Sequence, residues 1–348
     1  MQAAPRLLSL ATATPSHLIR QEEIVRLSER AFDRSRSEIE RLMPVFANAG
    51  IQTRYFCMPI EWYLEPHGWI ERSRLYVDHA VDLAVDVARR CLEQARCSVD
   101  DIDGIVTVST TGIATPSLDA LVMERLAMRR DVRRLPLFGL GCAGGVIGLS
   151  RAAEMAMARP GSRILVLVVE LCSLTFRYGD NSKSNIVAAA LFGDGAAALL
   201  LDGTGAGPIL GDSGEHTWPD SLDVMGWHIE EDGFGVLFSR DIPSLVRREF
   251  RPVVDDFLAC RQLRLKDLAG FVCHPGGAKV MDALEDAFGL TLGSMRTARD
   301  VLREFGNMSA ATVLFVLQRM LPNIRGGRYL MSALGPGFTA GFQLLHVA

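Results

Sequence analysis

The sequence predicts an α/β protein with two similarly wound βαβ halves. Of its 348 residues, 49% are hydrophobic but only 7% are aromatic, which suits a core of Leu, Val and Ala. From residue 100 onward, short apolar runs alternate with helical segments, a rhythm typical of right-handed βαβ crossovers. Glycine turns that lead into an apolar strand occur at 193–200 and again at 335–342, which fits two equivalent halves.

Hydrophobic spacing predicts the elements of the first half. The first 95 residues are expected to be mainly helical, with amphipathic helices over 21–32 and 78–95 and a loop or short strand at 50–56. Beyond them, the predicted strands are 102–107, 135–140 and 163–170, and the predicted helices are 118–129 and 148–159.

A glycine-rich stretch at 201–208 is the predicted boundary, so that the two halves are residues 1–207 and 208–348. Polar turns are expected around 212–223. The elements predicted after them are helices over 243–263, 278–288 and 309–321, a strand over 268–273, and two strands that flank the turn 335–338.

Charge and cysteine usage exclude several classes of protein. The formal net charge of -4 provides no broad basic field, so nucleic acid is not an expected partner. The 7 cysteines are irregularly spaced without a CxxC pair, and most lie in apolar runs, which favours a reducing, cytoplasmic setting over zinc or disulfide chemistry. The N-terminus lacks the plan of a signal peptide, and no apolar run is long enough for an integral membrane segment.

Cys142 is the strongest candidate for a nucleophile. It follows a predicted strand and precedes Ala143, Gly144 and Gly145, which open a predicted helix. Small residues permit a tight turn and close approach of a substrate, and the N-terminus of a helix lowers the pKa of a thiol. A buried structural cysteine is the alternative, and it is our interpretation of most of the other six.

An imidazole and a carboxamide are the other parts of a thioester-processing site. His274 follows the predicted strand 268–273, and together with Cys142 it is expected to form an imidazolium–thiolate pair, although a lone histidine there would be a core residue. Asn307 could cap the helix that begins near Ser309, or its side chain could point into the site. A neutral amide donor suits a thioester or enolate oxygen.

Five segments, in this order along the chain, resemble the type III polyketide synthases, the chalcone synthase-like branch of the thiolase superfamily. They cover roughly residues 100–348, and the first hundred residues match only in general character. The resemblance implies a homodimer with the thiolase fold, in αβαβα layers, and a buried site reached by a tunnel for the coenzyme A arm. The segments are 141–145, 191–196, 273–277, 306–309 and 335–338.

The resemblance also implies a reaction. Cys142 would take the starter acyl group from an acyl-CoA, and His274 and Asn307 would stabilise the enolate that forms when malonyl-CoA loses carbon dioxide. That enolate would attack the Cys142 thioester, and cyclisation would follow repeated extension. Neither a metal nor a redox cofactor is implied, because decarboxylation drives carbon–carbon bond formation and the coenzyme A thioesters are substrates.

Two residues resemble the family's gatekeepers between tunnel and cavity. Phe192 matches the first, with an ordinary core aromatic as the alternative. The second falls at Val236, but the register between the surrounding anchors leaves Phe238 open. Val236 would make the gate wider than in the plant chalcone synthases.

Other cavity positions also depart from the plant enzymes. Cys172 stands where they carry threonine, as in bacterial members that accept fatty acyl starters, and Thr115 replaces a methionine that reaches across the dimer. A cavity that has less side-chain bulk and lacks one threonine hydroxyl suits an alkyl chain. Arg54 is the candidate for the coenzyme A phosphates, with Arg72 or Arg74 as alternatives. The other expected substrate-binding residues are Thr110, Thr111, Thr175, Gly226, Ser309, Gly335, Pro336, Gly337 and Phe338.

Competing functions fit less well. A ketoacyl-acyl carrier protein synthase III usually has His-Gln-Ala-Asn where this chain has His274-Pro275-Gly276-Gly277. A thiolase needs a second cysteine late in the chain, a non-catalytic acyl-binding subunit would be expected to lose part of the triad, and a papain-like protease has a different sequence around its cysteine. We predict condensation of a medium- or long-chain acyl-CoA with malonyl-CoA to an alkylpyrone or alkylresorcinol, with malonyl or aromatic priming as the alternative.

Overall fold

The computed structural model describes residues 4–32, 44–203, 205–239 and 241–348. Its strands are β1 (Arg6–Ala13), β2 (His17–Arg20), β3 (Thr53–Phe56), β4 (Gly104–Val108), β5 (Arg133–Leu137), β6 (Ile164–Leu171), β7 (Asp194–Asp202), β8 (Ile209–Thr217), β9 (Met225–Glu230), β10 (Gly233–Phe238), β11 (Gly270–Cys273), β12 (Gly327–Gly335) and β13 (Thr339–Val347). Its α-helices include α1 (Gln21–Ala31), α2 (Trp69–Ala95), α3 (Leu118–Arg125), α4 (Gly144–Ala158), α5 (Lys183–Leu191), α6 (Ile242–Leu245), α7 (Arg251–Ala259), α8 (Ala278–Phe288), α9 (Arg296–Phe305) and α10 (Thr312–Met320). A π-helical turn, Val246–Phe250, joins α6 to α7.

One mixed sheet carries nine strands in the order β11-β12-β13-β8-β1-β7-β6-β4-β5. In the first half, β4 and β6 are parallel, while β6–β7 and β7–β1 are antiparallel. The second half repeats this pattern, with β11 and β12 parallel and β12–β13 and β13–β8 antiparallel. The halves meet where Arg6 of β1 pairs with Ile209 of β8. The repeated pairing confirms the predicted fold class of two similarly wound halves, whereas the exact division at residue 207 stays a prediction.

The layers follow from which faces are apolar. Every residue of β6 is buried, because α2 covers one face of the first half and α4 covers the other. Helix α4 also contacts β12 and β13, so it lies between the strands of the two halves. On the far side of the second half, Phe342 of β13 packs against Phe250 and Phe257, with ring centroids 5.8 and 5.1 Å away. The result is the αβαβα layering that the resemblance implies.

Several elements differ from the sequence prediction. The first 95 residues include β1, which pairs with β7 along nearly its whole length, and the polar turns predicted at 212–223 begin inside β8. Polar residues interrupt both strands, so their apolar pattern is weak, and long-range pairing with β7 and β13 determines their structure instead. The β9–β10 hairpin and α9 were not predicted.

Among the described residues, no helix combines the length and the apolar character that crossing a membrane requires.

Candidate active site

Cys142 lies in the tight turn Gly141–Ala143, directly ahead of α4. Gly141 has a φ of +48°, and a Cβ there would lie 2.5 Å from Pro336. A Cβ on Gly145 would lie 2.2 Å from the carbonyl oxygen of Ala310. Gly145 therefore lets α4 pack directly on the segment that follows Asn307, and Gly141 lets the turn approach Pro336.

Asn307 bonds the turn that follows it and faces the thiol. Its Oδ1 accepts a hydrogen bond from the Ser309 N–H at 2.9 Å, and its Nδ2 donates to the carbonyl of Gly276 at 3.1 Å. The Sγ of Cys142 is 3.9 Å from the same Oδ1. Asn307 thus bonds the first residue of the turn Ser309–Ala311 from the position before its N-cap, Met308, while the same side chain faces the thiol.

His274 follows β11 and is held by its backbone N–H, which donates to the carbonyl of Ser332 at 2.9 Å. The ring is buried, and neither nitrogen has a hydrogen-bond partner among the residues that the structure describes. His274 lines the same cavity as Cys142 and Asn307. A buried imidazole without a protein partner has both nitrogens available for a substrate.

Burial sets the charge state of the unliganded site. It raises the pKa of Cys142 to about 12, although hydrogen bonds with Ser309 and Asn307 lower it in part. It also lowers the pKa of His274 to about 3. Removal from water thus favours the neutral form of each group in the unliganded chain, and the imidazolium–thiolate pair stays a prediction.

The reactivity of Cys142 should therefore depend steeply on pH. Below the raised pKa, the thiolate fraction grows about tenfold per pH unit, so alkylation of Cys142 by iodoacetamide should accelerate by roughly that factor per unit between pH 7 and pH 9. The rate is measured by peptide mass spectrometry. A rate that is flat across this range would instead indicate a preformed thiolate.

Glu170, which the sequence analysis left without a role, lies beside this site. Its Oε2 accepts hydrogen bonds from the Thr110 and Thr111 N–H groups at 3.0 and 3.2 Å and from the Thr111 hydroxyl at 2.8 Å. Burial raises the pKa of Glu170 to about 7, whereas these hydrogen bonds lower it. Glu170 could have been identified from the sequence, because it is the one charged residue in the apolar strand β6 and lies near the end of that strand.

Three cavities adjoin one another at the site. The reaction cavity is lined by Cys142, Met225, Phe238, Ile242, Phe250, His274, Gly276, Val280, Leu284, Asn307, Ser332, Ala333 and Leu334. The central cavity is lined by Thr110, Gly141, Cys142, Cys172, Phe192, Met225, Gly226, Trp227, Val236, Leu237, Phe238, Ser309 and Pro336. The side cavity is lined by Ile24, Leu27, Phe56, Tyr63, Cys172, Ser173, Thr175, Phe176, Ala188, Ala189 and Phe192. Cys142 is shared by the first two, and Cys172 and Phe192 by the last two.

Most predicted substrate-binding residues line these cavities, but five do not. Thr111 is not among the lining residues, because its hydroxyl bonds Glu170 and the N–H of Leu171. Thr115 is exposed. Phe338 is fully buried against Trp218, with ring centroids 5.4 Å apart. Gly335 and Gly337 are backbone positions at the turn that brings Pro336 to the cavity.

Arg54 does not fit the role of a phosphate ligand. Its guanidinium is fully buried and donates to the carbonyls of Ala189, Ala190 and Phe192 at 2.8, 2.8 and 3.0 Å, and also to Gln21. Arg72, an alternative, is likewise buried and bonds the carbonyls of residues 67, 174 and 176, whereas Arg74 is exposed. Arg54 instead ties β3 to the end of α5 beside Phe192, and the prediction was wrong because the guanidinium is buried and bonds backbone carbonyls.

Replacing Arg54 by alanine should therefore affect stability. We expect a loss of about 3 kcal/mol in the free energy of unfolding, because several buried carbonyls lose their donor. Denaturant unfolding measures this loss, and the KM for malonyl-CoA should change less than about twofold. The reverse pattern, a raised KM with unchanged stability, would indicate a phosphate ligand.

The β9–β10 hairpin carries both residues that were predicted for the second gatekeeper, Val236 and Phe238. Val236 lines the central cavity, and Phe238 lies where the central and reaction cavities meet. Directly across the hairpin from Val236 lies Trp227, a cavity residue that the sequence analysis did not identify. Its neighbours are distant in sequence, so no local pattern pointed to it.

Fold and site together define a thiolase-fold condensing enzyme. The profile of the chalcone and stilbene synthases matches the chain with its N-terminal domain over residues 2–208 and its C-terminal domain over 212–346. The chain belongs to this family, the type III polyketide synthases, which are decarboxylating acyltransferases, as predicted.

Individual relatives cover nearly the whole chain. A putative chalcone synthase of Bacillus subtilis (strain 168) is 38% identical over 97% of this chain and 97% of its own. A 1,3,6,8-tetrahydroxynaphthalene synthase of Streptomyces peucetius is 37% identical over 96% and 91%. An alpha-pyrone synthesis polyketide synthase-like protein of Mycobacterium tuberculosis is 27% identical over 97% and 90%. The crystal structure of tetrahydroxynaphthalene synthase from Streptomyces coelicolor superposes with a TM-score of 0.93, at 29% identity over 98% and 99%.

Proposed function

We propose that this type III polyketide synthase extends a medium- or long-chain acyl-CoA with malonyl-CoA units and cyclises the product to an alkylpyrone or alkylresorcinol. The observation that supports the starter class is the side cavity, which begins at Cys172 and Phe192 and continues between α1 and α5. Cys142, His274 and Asn307 would do the chemistry. Neither a metal nor a redox cofactor is required, because every bond change can be assigned to these side chains and the coenzyme A thioesters.

Loading would begin when His274 accepts the proton of the Cys142 thiol. The sulfur attacks the thioester carbonyl of the acyl-CoA, coenzyme A leaves, and its thiolate takes the proton back from His274. The single cavity shared by the thiol and the imidazole supports the assignment.

Extension would use the imidazole and the amide as donors. Malonyl-CoA loses carbon dioxide, and the electrons of the broken bond form an enolate whose oxygen accepts hydrogen bonds from His274 and Asn307. The enolate carbon attacks the acyl carbonyl on Cys142, and the cysteine sulfur leaves as the new bond forms. The product is a β-ketoacyl-CoA, which can be loaded again. Asn307 is suited to this role because one amide hydrogen bonds Gly276 and the other remains for the substrate.

The walls of the side cavity suit an alkyl chain. Ile24 and Leu27 of α1 face Ala188 and Ala189 of α5 across it. The Tyr63 hydroxyl does not present a free polar group, because it donates to Ser173 at 2.7 Å, and Ser173 in turn donates to the buried carboxylate of Asp194 at 2.5 Å. Each methylene buried on such a surface contributes about 0.8 kcal/mol.

Malonyl priming is the second candidate. The 37% identity to a tetrahydroxynaphthalene synthase favours it. The apolar lining of the side cavity favours an alkyl starter over a malonyl group.

Filling the side cavity tests the starter class. Leu27→Trp should shorten the preferred acyl-CoA, with kcat/KM falling about fourfold for each methylene that no longer fits. Mass spectrometry of the products from malonyl-CoA and acyl-CoAs of increasing length measures this shift. Leu18→Trp, at an exposed leucine outside the cavities, is the matched control. If wild type forms product from malonyl-CoA alone and ignores alkyl starters, malonyl priming replaces this proposal.

We also propose that the chain is a cytoplasmic homodimer that binds no nucleic acid. Two apolar side chains are exposed, Phe138 shortly before Cys142 in the sequence and Ile113 shortly before the exposed Thr115, which fits a subunit contact beside the site. All seven cysteines are free, which suits a reducing compartment. Sedimentation of wild type and Phe138→Glu would test the dimer.

A further inference from the structure

We infer that Trp227, rather than Val236, is the second gate residue of the site, an inference that rests on the proposed function. A gate residue is here a side chain that narrows the passage to Cys142. Trp227 and Val236 are paired across the β9–β10 hairpin, so both lie at the same level of the central cavity. Because the valine side chain is small, the larger indole ring of Trp227 is the one that narrows the cavity at this level.

Contacts on both sides hold the indole across the passage. Its ring centroid is 6.3 Å from that of Phe192, the first gate residue, in an edge-to-face arrangement at 67°. On its other side it stacks on Phe234 at 5.8 Å, and Phe234 contacts Trp69 at 5.1 Å. A row of aromatic rings therefore runs from Trp69 at the start of α2 through Phe234 and Trp227 to Phe192 at the cavity wall.

A hydrogen bond fixes where the ring lies. The indole Nε1–H donates to the carbonyl of Thr110 at 3.0 Å, and Thr110 also lines the central cavity. The Thr110 hydroxyl accepts from the N–H of Gly141, the residue before Cys142. Through Thr110, Trp227 thus connects the hairpin to the turn that holds the nucleophile. Val236 and Phe238 cannot make this connection, because their side chains have no hydrogen-bonding atoms.

Accessibility of the thiol tests this assignment without any substrate. Cys142 is labelled in parallel with iodoacetamide and with the much larger N-(1-pyrenyl)maleimide, and both rates are read from the Cys142 peptide by mass spectrometry. Trp227→Ala should raise the rate for the pyrenyl reagent about tenfold more than the rate for iodoacetamide, which corresponds to roughly 1.4 kcal/mol of steric barrier removed. Val236→Ala should change this ratio less than about twofold.

Controls keep the result decisive. Trp62→Ala removes an indole that stacks on His67 and does not line the three cavities, so it should leave the ratio unchanged. Cys91 is fully buried, and its labelling would reveal an unfolded variant, in which case Trp227→Leu takes the place of Trp227→Ala. A Trp227 variant that matches wild type, or a Val236→Ala that opens the passage equally, would overturn the assignment. The readout needs no acyl-CoA, so a wrong starter class would leave it unaffected.

Discussion

Cys142→Ala should abolish polyketide formation from every acyl-CoA, a fall of at least about 10⁴-fold, because the acyl group loses its only proposed attachment point. Decarboxylation of malonyl-CoA should persist at a reduced rate, since His274 and Asn307 remain in the reaction cavity to stabilise the enolate. Product mass spectrometry would then detect acetyl-CoA without condensed products.

A matched control is available for this prediction. Cys260 is an exposed free thiol that does not line any of the three cavities at the site, and Cys260→Ala should retain full turnover. Condensed product from Cys142→Ala at more than about a hundredth of the wild-type rate would contradict the nucleophile assignment.

His274→Ala should impair both half-reactions. Loading loses its proton acceptor and decarboxylation loses one of its two donors, so each rate should fall by about 10²- to 10⁴-fold. His274→Gln retains a donor but not a base, and it should recover decarboxylation more than loading. Single-turnover acylation and acetyl-CoA release measure the two steps separately.

The exposed His228 on β9 provides the comparison, and His228→Ala should behave as wild type. Equal recovery of loading and decarboxylation in His274→Gln would contradict a role for the imidazole in proton transfer.

The sequence predicted those parts of the molecule whose signals are local. The β6 strand is a continuous apolar run, and Cys142, His274 and Asn307 each lie in a short motif beside a predicted element. The charge states of Cys142 and His274 depend on burial, which no local pattern in the sequence shows.

Long-range contacts explain the other failures. The polar strand β8 forms because β13 pairs with it, and Arg54 is buried because carbonyls at the end of α5, more than a hundred residues away, accept its hydrogen bonds. Trp227 bonds a carbonyl 117 positions away, so its place in the site could be seen only once the chain was folded.

The most direct test of the proposed chemistry is the mass of the peptide that contains Cys142 after brief mixing with decanoyl-CoA and no malonyl-CoA. We predict the mass of one decanoyl group on Cys142 and none on Cys172, its neighbour in the central cavity. An acyl group found on another residue, or full product formation with Cys142 never acylated, would contradict the account.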